Sequence, residues 1–133
     1  YTTLFRSYAS AYRQGNAECV NLALHCKALR TVQDMFGVVP VTLTGKFDNA
    51  YELSMVFPVD GIYEIRQAVK LFCKAFEQDC IMVVTKDDDA IFMDSPYPGK
   101  PAGKFVSKTE AEMEAGQHTA WTYDGEQFWV VEA

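Results

Sequence analysis

The chain has 133 residues, 49% hydrophobic and 14% aromatic, with twelve Lys and Arg against eighteen Asp and Glu for a formal charge of −6. That length fits one domain burying roughly two-thirds of its unfolded surface, so its core needs no metal or disulfide support. The apolar share excludes a disordered chain, the acidic balance argues against a nucleic-acid binder, and no apolar run approaches the ~20 residues of a membrane-spanning helix.

Tyr1-Thr2-Thr3-Leu4-Phe5-Arg6-Ser7 resembles the translation of a DNA-sequencing-library adapter. Residues 1–7 are therefore expected to be a cloning scar ahead of one domain over 8–133, the other reading being an ordinary first strand. Tyr8 to Tyr12 alternates aromatics as a short strand does, extended backward by the residues before it. Asn16 is placed to cap a helix whose apolar face is Cys19, Leu22, Cys26, Leu29 and Phe36, with Gln33 the polar break and Gly37 the stop. Val38 to Thr44 is a β-branched strand ending at Gly45. In the strand Tyr51 to Phe57, Glu52, Ser54 and Val56 share one face. Asp60 is placed to cap a second helix with Ile62, Ile65, Val69, Phe72 and Phe76 at spacings of three and four. Cys80 to Thr85 reads as a buried strand, and Asp87-Asp88-Asp89 turns the chain into Ala90 to Met93. Pro96, Pro98, Gly99, Pro101 and Gly103 then read as an irregular loop, and Trp121–Tyr123 with Gln127–Val131 as a closing hairpin.

The order β-α-β-β-α-β predicts an α+β, ferredoxin-like fold: an antiparallel sheet with two helices on one face plus a C-terminal hairpin. Two helices cover one face only, so the sheet's other face, with Val56 and several aromatics, is expected to meet a partner subunit.

Cys19, Cys26, Cys73 and Cys80 lack zinc or redox spacing and read as buried free thiols. Two histidines are too few for a histidine metal site, and no nucleotide, hydrolase or metalloprotease motif is present. What stands out is carboxylate placement. Glu52 lies in an otherwise apolar strand, either as a solvated edge residue or as a site. Glu77-Gln78-Asp79 ends the second helix, where acidic groups oppose the macrodipole, and reads as a wet turn or a site. Asp87-Asp88-Asp89 is a solvated turn or a cation-attracting rim. The aromatics Phe47, Tyr51, Trp121 and Trp129 belong to the core or stack on a ligand.

Leu43-Thr44-Gly45 with Phe47, Glu52 opening the next strand, and Phe76-Glu77-Gln78-Asp79-Cys80-Ile81 together resemble bacteriophage S-adenosylmethionine-degrading enzymes. This family was formerly described as hydrolases and is now pictured as lyases. The resemblance implies release of 5′-methylthioadenosine and homoserine lactone, an action against host restriction-modification in the host cytoplasm, and no cofactor. It also implies a homotrimer of PII-like (GlnB-like) α/β sandwiches with sites between subunits, while the acidic balance and the lack of a long apolar run leave neither nucleic acid nor membrane as a partner. Carried onto this chain, it makes Glu52 the catalytic carboxylate that holds the substrate's ammonium or ribose and orients its methionine arm. Thr44 and Gly45 would allow close backbone approach, Phe47 and Tyr51 would pack on the substrate, and Glu77 and Asp88 would contribute to binding. The turn at Asp88 lacks the glycines and basic residues that phosphates need. A PII-like adenine-nucleotide sensor is the alternative reading, and an acidic decoy of a DNA-binding restriction protein is a weaker third.

Overall fold

The computed structural model describes residues 4–94 and 99–133; Tyr1, Thr2, Thr3, Pro96 and Pro98 lie outside them. Strand β1 (Leu4–Ala9) leads to helix α1 (Glu18–Phe36), then β2 (Val41–Phe47) and β3 (Ala50–Asp60) form a hairpin. Helix α2 (Gly61–Lys70) follows, extended by a wider π turn over Leu71–Ala75. Then come β4 (Ile81–Val84), β5 (Asp89–Met93), β6 (Lys100–Lys108), the short helix α3 (Glu110–Ala115), β7 (Trp121–Tyr123) and β8 (Phe128–Glu132). Leu4 to Ser7 are the first part of β1, paired from Leu4↔Asp60 to Ala9↔Met55.

The strands close an antiparallel barrel in the order β1-β3-β2-β7-β8-β6-β5-β4, with β4 pairing back onto β1. Alternation along each strand then sorts side chains to two surfaces. On the outer surface Ala9, Met55, Phe57, Val59, Ile81 and Val83 pack against Ala28 and Val32 of α1 and Ile65, Ala68 and Val69 of α2. Phe57 sits between Phe36 and Phe72, at centroid distances of 5.5 and 6.1 Å, and is 1% exposed. Truncating such a ring to Ala costs about 3–5 kcal/mol. On the inner surface Val84, Ala90 and Phe105 gather Tyr8, Met82, Ala102, Trp129 and Val131.

The expected ferredoxin-like sandwich is thereby corrected. A sheet that ended at β4 and β2 would leave two open edges and one apolar face in water. Here β5 pairs with β4 and β7 with β2, and β6 and β8 join them. The chain covers its own second face, and the argument from that face to a partner subunit falls away. The loop expected around Pro101 and Gly103 is also corrected, because both lie in β6. Gly103 has φ +126°, and any Cβ there would run into the backbone of Glu132, so glycine marks the close approach of β8. Helix α3, not expected from the sequence, opens with a capping box in which Thr109 and Glu112 satisfy each other's backbone N–H.

Helix α1 presents a different face from the expected one. Asn21, His25, Ala28 and Val32 are buried, Leu29 and Phe36 are half-buried, and Cys19, Leu22 and Cys26 are exposed. Two polar attachments set this rotation. Asn21 bonds the backbone of Arg13, and His25 Nε2 lies 3.0 Å from Thr42 Oγ1 on the outer face of β2. The small Ala28 and Val32 then let the helix approach the sheet closely. Cys73 and Cys80 are half-buried, so none of the four thiols is fully enclosed. The cap residue is Ala17 rather than Asn16, while Gly37 terminates α1 in the left-handed region at φ 65°.

Candidate functional site

An eight-stranded barrel has an interior just wide enough to be filled by side chains or to hold one small ligand. This barrel is filled by side chains in one part and open in another. Below lies the packed inner cluster; above it opens a cavity of about 690 Å³, within the usual size for a small-molecule site.

Glu52 stands on the inner surface, directly across the ladder from Gly45, which pairs in turn with Thr122, itself paired with Trp129. This lateral row places a carboxylate, a bare backbone position, a hydroxyl and an indole along one level of the wall. A Cβ on Gly45 would meet the Trp121 carbonyl oxygen at 2.6 Å, so β7 can lie this close only over glycine. Glu52 is half-buried, and its removal from water pushes the carboxyl from its ordinary 4.5 up to about 7.

The cavity's apolar side is built from packed rings. Phe105 stacks on Trp129 at 5.3 Å and 13°, and Tyr8 packs on Phe105 at 4.9 Å. The Trp129 indole N–H donates to Asp124 Oδ2 at 2.9 Å, fixing the ring plane. Burial raises the Tyr8 phenol above its ordinary value. Tyr12 is raised to about 12, by burial first and then by its 2.8 Å hydrogen bond to Glu18, with the Glu52 charge a smaller contribution. Both phenols stay protonated.

The mouth is framed by the segment after β1 and the segment before β4. Ser10 Oγ donates to the Leu53 carbonyl at 2.8 Å and accepts the Tyr12 N–H at 3.1 Å, tying this loop to the residue after Glu52. Gln78 Nε2 donates to the Tyr12 carbonyl at 2.9 Å, and Arg13 pairs with Glu77 across the opening.

Of the residues expected from the sequence, Glu52, Gly45, Phe47 and Glu77 line this one cavity. Thr44 and Tyr51 point from the opposite surface of their strands; Tyr51 is 74% exposed, edge-on to Trp121, with Lys46 Nζ 5.2 Å from its ring centroid. Asp88 lies in the β4–β5 turn, ion-paired with Arg6 and outside the cavity wall. Sequence reasoning missed Tyr8, Ser10, Tyr12, Arg13, Phe105 and Thr122. Only the aromatic alternation at Tyr8 and Tyr12 offered a signal, because the others are brought in by closure of the barrel.

Among the described residues no group of three His, Cys, Asp or Glu is placed to hold a metal ion, and no helix is long and apolar enough to cross a membrane. Among its described residues the cavity wall carries four carboxylates, Asp48, Glu52, Glu77 and Asp79, against two cations, Arg13 and Lys46, and its balance is acidic. Such a wall favours a cationic ligand over a polyanion. No curated protein matches the chain. A family model described as the S-Adenosylmethionine lyase family matches residues 7–132.

Proposed function

The chain belongs to the S-adenosylmethionine lyase family, and from that premise we propose that S-adenosylmethionine is degraded in the barrel cavity, by attack of the substrate's own carboxylate on Cγ. A carboxylate oxygen forms a bond to Cγ, the Cγ–S bond breaks, and its electron pair neutralises the sulfonium. The products are 5′-methylthioadenosine and homoserine lactone. No proton is transferred, so neither a general base nor a covalent nucleophile is needed.

Nucleophile and leaving group occupy one molecule, and the protein's task is to hold a near-attack conformation. The observation that carries the reading is the one half-buried carboxylate among the described residues of the wall, Glu52, in a cavity whose apolar side is formed by Tyr8, Phe105 and Trp129. Glu52 is suited to the substrate's α-ammonium or ribose hydroxyls, since a carboxylate against the sulfonium would stabilise the ground state. The aromatic side is suited to adenine. Reaction merges a carboxylate and a sulfonium into neutral products, so a site that excludes water favours the transition state.

Removal of the methyl donor supports the wider role against host restriction-modification, exercised in the host cytoplasm. The homotrimer is kept within the proposal on different ground. Phe47, 53% exposed, lies at the cavity mouth, where a neighbouring subunit would complete the enclosure. Light scattering should return three times the 15.0 kDa of one chain.

Chromatography of a reaction with S-adenosylmethionine is the decisive test. Methylthioadenosine and lactone should appear together, and folded protein that releases no methylthioadenosine would sink the reading. Homoserine preceding its lactone would replace the intramolecular route with hydrolysis.

A further inference from the structure

Arg13 carries no motif, yet the fold sets it at the cavity mouth and fixes the backbone on both sides of it. Asn21, 6% exposed at the start of α1, accepts the Arg13 N–H at 3.0 Å and donates to the Arg13 carbonyl at 3.1 Å. Asn16 adds a third bond, its amide donating to Asn21 Oδ1 at 3.3 Å. The preceding carbonyl, that of Tyr12, is held by Gln78. A buried amide carries a desolvation cost unless satisfied, and here its satisfaction is the clamp on one residue.

The side chain so placed has little competition as an anion receptor. The Lys and Arg residues on the wall among those described are Arg13 and Lys46, and Lys46 turns its ammonium to the outer surface over Tyr51. Arg13 is paired with Glu77, but the two side chains are 46% and 60% exposed. An ion pair that open to water is worth little, so it exchanges readily for a ligand carboxylate. Guanidinium also binds carboxylate in a defined plane, which a flexible ammonium does not.

Resting on the S-adenosylmethionine reading, we propose that Arg13 receives the substrate carboxylate, exchanging Glu77 for it, with Asn21 as its positioning residue. One carboxylate oxygen bonds the guanidinium while the other remains free to form the C–O bond at Cγ. Arg13 thereby recognises the anionic group of the substrate, leaving its α-ammonium or ribose hydroxyls to Glu52.

The test compares two ligands by calorimetry. Sinefungin keeps the amino-acid carboxylate and has no sulfonium to expel; 5′-methylthioadenosine lacks the carboxylate. Arg13→Gln should weaken sinefungin about tenfold and leave methylthioadenosine within about twofold, with Arg13→Lys between native and Gln for sinefungin. Asn21→Ala should weaken sinefungin in the native background and add nothing in the Arg13→Gln background. Equal losses for both ligands, or no loss for sinefungin, would overturn the assignment. A native protein that leaves S-adenosylmethionine intact would instead overturn the function on which it rests.

Discussion

Replacing Glu52 by Gln should stabilise the fold at pH 8 while removing activity. Burial raises this carboxyl from 4.5 to about 7 in the folded chain. Between those values the folded protein keeps the proton that the unfolded chain releases, so stability falls as pH rises through this window. Above about 7 both states are ionised and the full cost is present. At about 1.36 kcal/mol per pKa unit the gap corresponds to roughly 3 kcal/mol. Glu52 is only half-buried, and solvent reaching it reduces that to about 2 kcal/mol. Gln keeps the shape and the polarity without the charge. Urea denaturation followed by tryptophan fluorescence at pH 4 and pH 8 reads the difference directly. The variant should gain about 2 kcal/mol at pH 8 and close to nothing at pH 4. Equal shifts at both pH values, or a loss at pH 8, would refute the claim that Glu52 is held ionised against its environment. Full activity in the variant would refute its role with the substrate.

Gly45→Ala places a methyl group 2.6 Å from the Trp121 carbonyl oxygen, so β2 and β7 must separate. Unfolding curves should show a loss of about 1–3 kcal/mol, with activity reduced because Glu52 sits across the same ladder position. Asn21→Ala leaves the Arg13 N–H and carbonyl without their partner and should cost about 1–3 kcal/mol in urea midpoint measurements. In the native protein a thiol reagent should label Cys19 and Cys26 rapidly and Cys73 and Cys80 slowly, read by peptide mass mapping. Equal rates for the four would contradict the observed rotation of α1.

Local signals in the chain were informative and global ones were not. Gly37 and the apolar spacing from Ile65 through Val69, Phe72 and Phe76 act within a few residues, and the structure uses them at those positions. Asp60, by contrast, opens α2 without a side-chain cap bond, its own N–H donating to Glu64, and Ile62 is exposed. The face of α1 was misjudged because hydrophobicity alone favours Leu22 and Cys26, whereas two polar side chains, Asn21 and His25, anchor the helix through partners distant in sequence. Strand β6 was hidden by Pro101 and Gly103, which usually interrupt pairing but here accommodate a register shift opposite Ala90 and the approach of β8. Glu52 was visible as a carboxylate out of place in an apolar strand. Its surroundings were not, since Phe105, Thr122 and Trp129 reach it only once the sheet curls shut.

That curling has a consequence for the timing of synthesis. The last described strand, Phe128–Glu132, pairs with both β6 and β7 and joins the two ends of the sheet. A nascent chain that has reached Tyr123 has every carboxylate of the cavity wall but not the indole of Trp129, and β6 and β7 lack the strand that joins them. Such an intermediate is open along its edges and exposed to association with its neighbours. The cavity is therefore complete only once β8 has paired with both β6 and β7.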